Sequence, residues 1–235
     1  MFQARRRRVL VGVVMGAALS VLGGGCGSTK AAKVDESWLA RVPEDQLGDV
    51  RGAQSERRKA QDEVTRADVA LKDAERAMQV AKRNADASKL RRDANKAALE
   101  AAEATGQRAE IERAKAELMN SETGVTASQA NVNWRQQSIE ALDARKQLRE
   151  RELEVADARL HQAEYLALKA NGDVRAEKLS EADFASALAD AQRRVEDARQ
   201  RVDSQSKEEQ QARVQWERLR NQAQGYGGSG APVEE

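Results

Sequence analysis

IERAKAELMNSETGVTASQANVNWRQQSIEAL, residues 111–142, carries a seam at Ile111, Ala114, Leu118, Ser121, Val125, Ser128, Val132, Arg135, Ile139 and Leu142. The steps alternate three and four residues, the spacing that keeps one helix face on a partner helix in a coiled coil. The seam continues in phase through Leu153, Ala156, Leu160, Ala163 and Ala167. Gly124 lies inside it without a change of phase and reads as an interior glycine. An earlier seam runs Ala60, Val64, Ala67, Leu71, Ala74, Met78, Ala81, Ala85. A later one runs Phe184, Leu188, Ala191, Val195, Ala198, Val202, then Ala212, Trp216, Leu219, Ala223.

Composition agrees with the seams. Charged residues make up 34% of the chain and aromatic residues 3%, so the apolar share of 40% is carried largely by alanine. That balance suits long helices with a thin core and not a compact globule. Lys and Arg total 40 against 39 Asp and Glu. Removing residues 1–25 with Arg5 to Arg8 leaves 36 against 39, net −3. The remaining cations alternate with acids along the helices, the pattern of a solvated face. No basic excess is left to displace counterions from a nucleic acid, and no nucleic-acid partner is expected.

Two breaks divide the helical region. Asn171-Gly172-Asp173 is one, followed by a helix-capping start at Ser180 to Asp183. The other has two candidates: Gly106, just past Ala104-Thr105, or Asn84 to Ser88, where the first seam loses phase. Folding the chain about residues 171–178 sets Trp134 opposite Trp216, Leu148 opposite Val202 and Val155 opposite Val195. A turn at Gly106 brings Met78 to the level of the tryptophans and Val64 to that of Leu148 and Val202. The Asn84 turn sets Leu71 against Ala102 or Glu103, a poorer match. The expected fold is all-α: a long antiparallel coiled-coil, three-helix rod over 43–224, with turns near 106 and 172. The first two helices would be roughly 90 Å long at about 1.5 Å per residue. Pro43 with Glu44 and Asp45 marks the rod's start. Residues 225–235, GYGGSGAPVEE, form a flexible tail.

The N-terminus reads in three parts. Arg5 to Arg8 are a positive region, VLVGVVMGAALSVL (9–22) is apolar, and Gly23-Gly24-Gly25 precede Cys26, the only cysteine. The apolar run of about 14 residues falls short of the roughly 20 that span a bilayer. The small residues before Cys26 resemble the lipobox of bacterial lipoproteins, with Gly25 at the preferred small position. Gly23 stands where that family usually has Leu, and Leu22 lies one place further back. The resemblance covers residues 1–27. It implies a signal peptide at 1–25, lipidation of Cys26 and a membrane anchor, with 26–42 as lipidated Cys and tether. Trp38 and Leu39 would rest on the membrane interface or cap the rod. Gly27, in place of the Asp that favours inner-membrane retention, implies the outer membrane, facing the periplasm. Several acyl chains on one residue give stable anchoring where one is marginal.

Chemistry is sparse. His161 is the single histidine, so metal sites built on several Cys or His ligands are excluded. No glycine-rich elbow stands near a serine to recruit His161 into a triad. Glu208-Glu209 and Glu234-Glu235 read as surface charge. No catalytic, cofactor-binding or metal residues are expected, and the protein is read as no enzyme. The expectation is an envelope lipoprotein acting as a structural or adaptor coiled coil for an envelope protein. The alternative is a periplasmic holdase-type chaperone with helical arms. Ala-rich seams leave homo-oligomers open as well. The third helix reaches only to about Ala127 on the second. Residues 88–124 therefore extend beyond it as a hairpin tip whose Ala94, Ala97, Ala98, Ala101, Ala102 and Ala104 are the preferred partner surface. The plainer alternative is a solvated end.

Overall fold

In the computed structural model of the chain, residues 33–225 are described. Among them there is helix and no strand. A short helix α1 (Glu36–Leu39) is followed by a 3-10 turn at Glu44–Leu47. Three long helices come next: α2 (Gly48–Thr105), α3 (Arg108–Ala170) and α4 (Glu181–Gly225). With 58, 63 and 45 residues, they span about 87, 95 and 67 Å.

The first hairpin turns at Gly106, not at Asn84. α2 runs unbroken through residues 84–88. Its partly buried stripe continues past Ala85 through Ser88, Arg92, Asn95, Leu99 and Ala102. The phase loss read at Asn84 is a change from apolar to polar residues along a stripe that keeps its course. Gly106 adopts φ 69°, and its N–H donates to the Glu103 carbonyl at 3.2 Å. Only glycine takes that left-handed conformation without strain. Gly172, also at φ 69°, closes α3. Its N–H donates to Lys169 O and that of Asp173 to Leu168 O, each at 3.1 Å. These two bonds satisfy carbonyls that the helix end leaves open.

Hydrogen bonds and ion pairs fix the register. Asn95 Nδ2 donates to the Glu117 carbonyl at 3.1 Å, Lys146 meets Asp68 at 2.8 Å and Arg57 meets Asp157 at 2.6 Å. On the other side, Trp134 stacks on Trp216 and Arg194 reaches Glu154 at 3.2 Å. The helices thus run antiparallel, with α3 paired to both neighbours.

The rod is more open than a three-helix core. α2 and α4 each pack on α3, but no Cα atoms of α2 and α4 lie within 8 Å of one another. On α3 the heptad line of Ile139, Lys146, Leu153 and Leu160 includes Lys146, which meets Asp68 of α2, and the line of Trp134, Ala141, Leu148 and Val155 includes Trp134, which stacks on Trp216 of α4. Gln129, Asn133 and Gln136 lie exposed between the two lines on one side, Arg145 and Arg159 on the other. Layers shared by three helices therefore give way to two seams on opposite sides of α3. The physical reason is area. Alanine lines, such as the buried Ala81, Ala85, Ala141 and Ala144, draw two helices close together. They are too short to fill a central space among three.

The exception is the base, where α3 ends and α4 begins. Val34, Val42, Val50, Leu160, Leu168 and Phe184 form a compact core, and Tyr165 stacks on Phe184 with centroids 4.9 Å apart. Trp38 and Leu39 pack against it. Residues 33–42, read from sequence as tether, are folded here, and Trp38 and Leu39 cap the end of the rod. α2 itself begins at Gly48 rather than Pro43. Pro43 is extended (φ −56°, ψ 145°), and the 3-10 turn after it lets the chain bring Val42 and Val50 into the same core.

Candidate functional site

Cys26 and residues 1–25, read from sequence as a signal peptide, lie outside the described residues, as do the residues beyond Gly225. The remaining candidates fall at the two ends of the rod and at the tryptophan pair.

The base is closed by a clasp. The Asp173 carboxylate accepts from the Arg175 backbone N–H at 2.9 Å and from its Nε at 2.8 Å. These bonds hold the Asp173 carboxyl well below the ordinary carboxylate range. Fixed in this way, the Arg175 guanidinium lies 5.2 Å from the Trp38 ring and donates to the Trp38 carbonyl at 3.4 Å. Asn171 Nδ2 donates to the Arg41 carbonyl at 3.4 Å. The loop that ends α3 therefore grips the segment that precedes α2.

His161 is not isolated. Its Nδ1 lies 2.8 Å from Glu164 Oε2. Glu164 is 1% exposed, and its Oε1 has no hydrogen-bond partner among the described residues. A carboxylate buried with a single partner is a cost to stability, since removing charge from water outweighs one contact. Replacing both groups together, His161→Leu with Glu164→Leu, is accordingly expected to leave stability unchanged or raise it by about 1–4 kcal/mol, and His161→Ala alone to destabilise the protein by leaving the carboxylate without its partner. Urea unfolding of the wild-type, double-variant and single-variant proteins checks the signs. A strongly destabilised double variant would mean that the carboxylate has a further partner. The His161–Glu164 pair was not read from the sequence: its i, i+3 spacing was visible, but the burial of Glu164 was not.

Trp134 and Trp216 stack with centroids 4.6 Å apart and planes 10° from parallel. Trp134 Nε1–H donates to Glu209 Oε1 at 2.7 Å. Arg135 sits 4.1 Å from the Trp134 centroid and Arg220 5.5 Å from that of Trp216. Cations on the ring faces favour this arrangement. The rings are engaged by each other and by their own arginines, as in a packing layer between α3 and α4. At the neighbouring α2–α3 seam, Asp68 accepts from Lys146 and lies 2.5 Å from Lys72; both draw its pKa down to about 2.

At the opposite end, Trp134 facing Trp216 brings the last turn of α4, at Gly225, level with Val125. The tip beyond it consists of α2 and α3 alone. Ala94, Ala97, Ala98, Ala101 and Ala104 are exposed there, and Ala102 lies in the seam against α3. A groove of about 580 Å³ follows the tip, with Leu99 and Leu118 in its lining beside Asp93, Glu100, Glu103 and Glu122. Among the described residues no helix is long and apolar enough to cross a membrane, and no cluster of His, Cys, Asp and Glu forms a metal site.

Comparison with known proteins is negative. No protein-family model matches the chain, and neither curated proteins nor solved structures give a match. The functional reading therefore rests on the residues themselves.

Proposed function

We propose that this protein is a membrane-anchored envelope lipoprotein, a coiled-coil adaptor that carries its hairpin tip to a protein partner far from the membrane. Cys26 is its lipidated residue, and the outer membrane facing the periplasm is its site. The observation that carries the reading is the polarity of the chain. Cys26 precedes Val34, the first residue of the base core, by a stretch that spans at most about 30 Å even fully extended. The Gly106 turn lies at the other end of helices about 87 and 95 Å long. An anchor at Cys26 would hold the base at the lipid surface and direct the tip away from it. The clasp on Trp38 supports this, because it ties the anchoring segment to the rod.

The test is chemical. Cells making the protein are labelled with radioactive palmitate. The wild-type chain is expected to take up label and to sediment with membranes. Cys26→Ser is expected to lose the label and to appear as a soluble or uncleaved form. An unlabelled wild-type chain would end the lipoprotein reading.

A further inference from the structure

We propose that the level of Gly124 is a hinge, on which the two-helix tip bends as a unit against the three-helix trunk. Three features meet there. α4 ends at Gly225, level with Val125, so α3 loses its second neighbour at this point. α3 crosses the level as SETGVTAS (121–128), in which Thr123, Gly124, Val125 and Thr126 are poor helix formers. The hydroxyls of this stretch turn back on the helix. Ser121 Oγ donates to the Leu118 carbonyl at 2.7 Å and Thr123 Oγ1 to that of Met119 at 2.6 Å. Thr126 Oγ1 donates to the Glu122 carbonyl at 3.0 Å and Ser128 Oγ to that of Val125 at 2.9 Å. Of the Ser and Thr residues of α3, Ser138 alone lies outside the stretch. Such back-bonding competes for the carbonyls that hold a helix together and bends it, and Gly beside Ser is a recurrent site of kinks. On α2, one heptad back from Asn95, which bonds to Glu117, Ser88 stands level with Gly124. Ser88 Oγ donates to the Asn84 carbonyl at 2.9 Å. Asn84, Asp86 and Ser88 also favour turns over helix interiors. The stretch that imitates a turn in the sequence is the α2 half of the hinge.

Packing at this level resists bending weakly. The seam consists of Ala81, Ala85 and Ser88 on α2 and Ser121, Val125 and Ser128 on α3. Small side chains interlock little and bury little area, so tilting one helix pair across them costs little. The Lys146–Asp68 pair ties the two helices in the trunk and the Asn95–Glu117 bond ties them in the tip. Among the described residues no side-chain hydrogen bond or ion pair joins α2 to α3 between those two ties. Nothing else in the fold asks for glycine at 124. A Cβ there would meet open space, and the backbone is not left-handed, unlike that of Gly106 and Gly172. What the residue supplies is a soft place in the helix. From Gly124 to the Gly106 turn the tip is about 27 Å long. A bend of about 20° would carry the turn about 9 Å sideways. The hinge holds with or without a lipid anchor. On an anchored rod it would let the tip sweep an arc above the membrane.

Spin-label distances by pulsed dipolar resonance test this in the full-length chain carrying Cys26→Ser, which removes the single native thiol. One label pair, Gln215→Cys with Ala104→Cys, spans the hinge. The other, Gln215→Cys with Arg58→Cys, lies within the trunk. All three positions are exposed. The spanning pair is expected to give a distance distribution wider than the trunk pair by about 5 Å, the spread that a bend of about 20° produces between α2 and α4. Gly124→Ala with Thr123→Ala and Thr126→Ala strengthens the helix and leaves Ser121, Val125 and Ser128 of the seam in place. It is expected to narrow the spanning pair to the width of the trunk pair. It is also expected to slow amide exchange at residues 122–128 by about fivefold or more, the factor that one Gly-to-Ala change carries in a helix. Equal widths for the two pairs in the Cys26→Ser chain would overturn the hinge. A spanning width that the triple substitution leaves unchanged would place the bending elsewhere and overturn the assignment to Gly124. Palmitate labelling of the wild-type chain reports the anchor separately, so failure of either reading leaves the other standing.

Discussion

Phe184→Ala is expected to destabilise the protein by about 3–5 kcal/mol, the cost of deleting a buried aromatic ring. Phe184 is 1% exposed and stacks on Tyr165. It sits where four parts of the chain meet: the segment from Val34 to Val42, the start of α2, the end of α3 and the start of α4. The alanine seams along the rod have little area to compensate, since each buried alanine removes far less apolar surface from water than a phenylalanine. The loss would be local in its first effect. Amides of residues 33–50 and of the first turns of α4 are expected to lose hydrogen-exchange protection before those of the α2–α3 seam. Thermal unfolding together with exchange checks both points. A change below about 1 kcal/mol, the range of an ordinary surface substitution, would mean that the base core does not hold the ends together.

Trimming the tip is expected to abolish the cellular role while leaving fold and lipidation intact. Removing residues 90–103 of α2 and 109–122 of α3 takes whole heptads from both arms. It keeps the Gly106 turn and the Asn95-free remainder of the seam in phase. The base core, the clasp on Trp38 and the tryptophan layer all lie outside the deleted stretches. The shortened protein should therefore melt as a helical protein, carry palmitate and sediment with membranes. Complementation of a strain lacking the gene is the measurement. Full complementation by the trimmed protein would make the tip inert and would move the function to the trunk or the tail.

The heptad steps of Ile111 to Ala167 and of Phe184 to Ala223 determined, by themselves, that this chain makes long antiparallel helices. Periodicity is a property of neighbouring residues on one helix and needs no tertiary information. The turns were legible for a related reason: Gly106 and Gly172 are required by the left-handed backbone at each corner. The opposition of Trp134 and Trp216 followed from counting outward from the second turn, because antiparallel helices of fixed rise pair by arithmetic. The stretch at Asn84 offered a rival turn because Ser88, Arg92 and Asn95 are polar, and polarity at seam positions imitates a break. Only the tertiary structure decided that α2 continues through them. It also decided that α2 and α4 remain apart on α3, since the stripes of a lone sequence do not say how far round a shared helix two partners sit. The base was hidden for the same reason. Val34, Trp38 and Val42 have no period, and Glu164 looks like one more surface acid. Their burial comes from contacts between residues more than a hundred positions apart, as when Asn171 and Arg175 bond to Arg41 and Trp38.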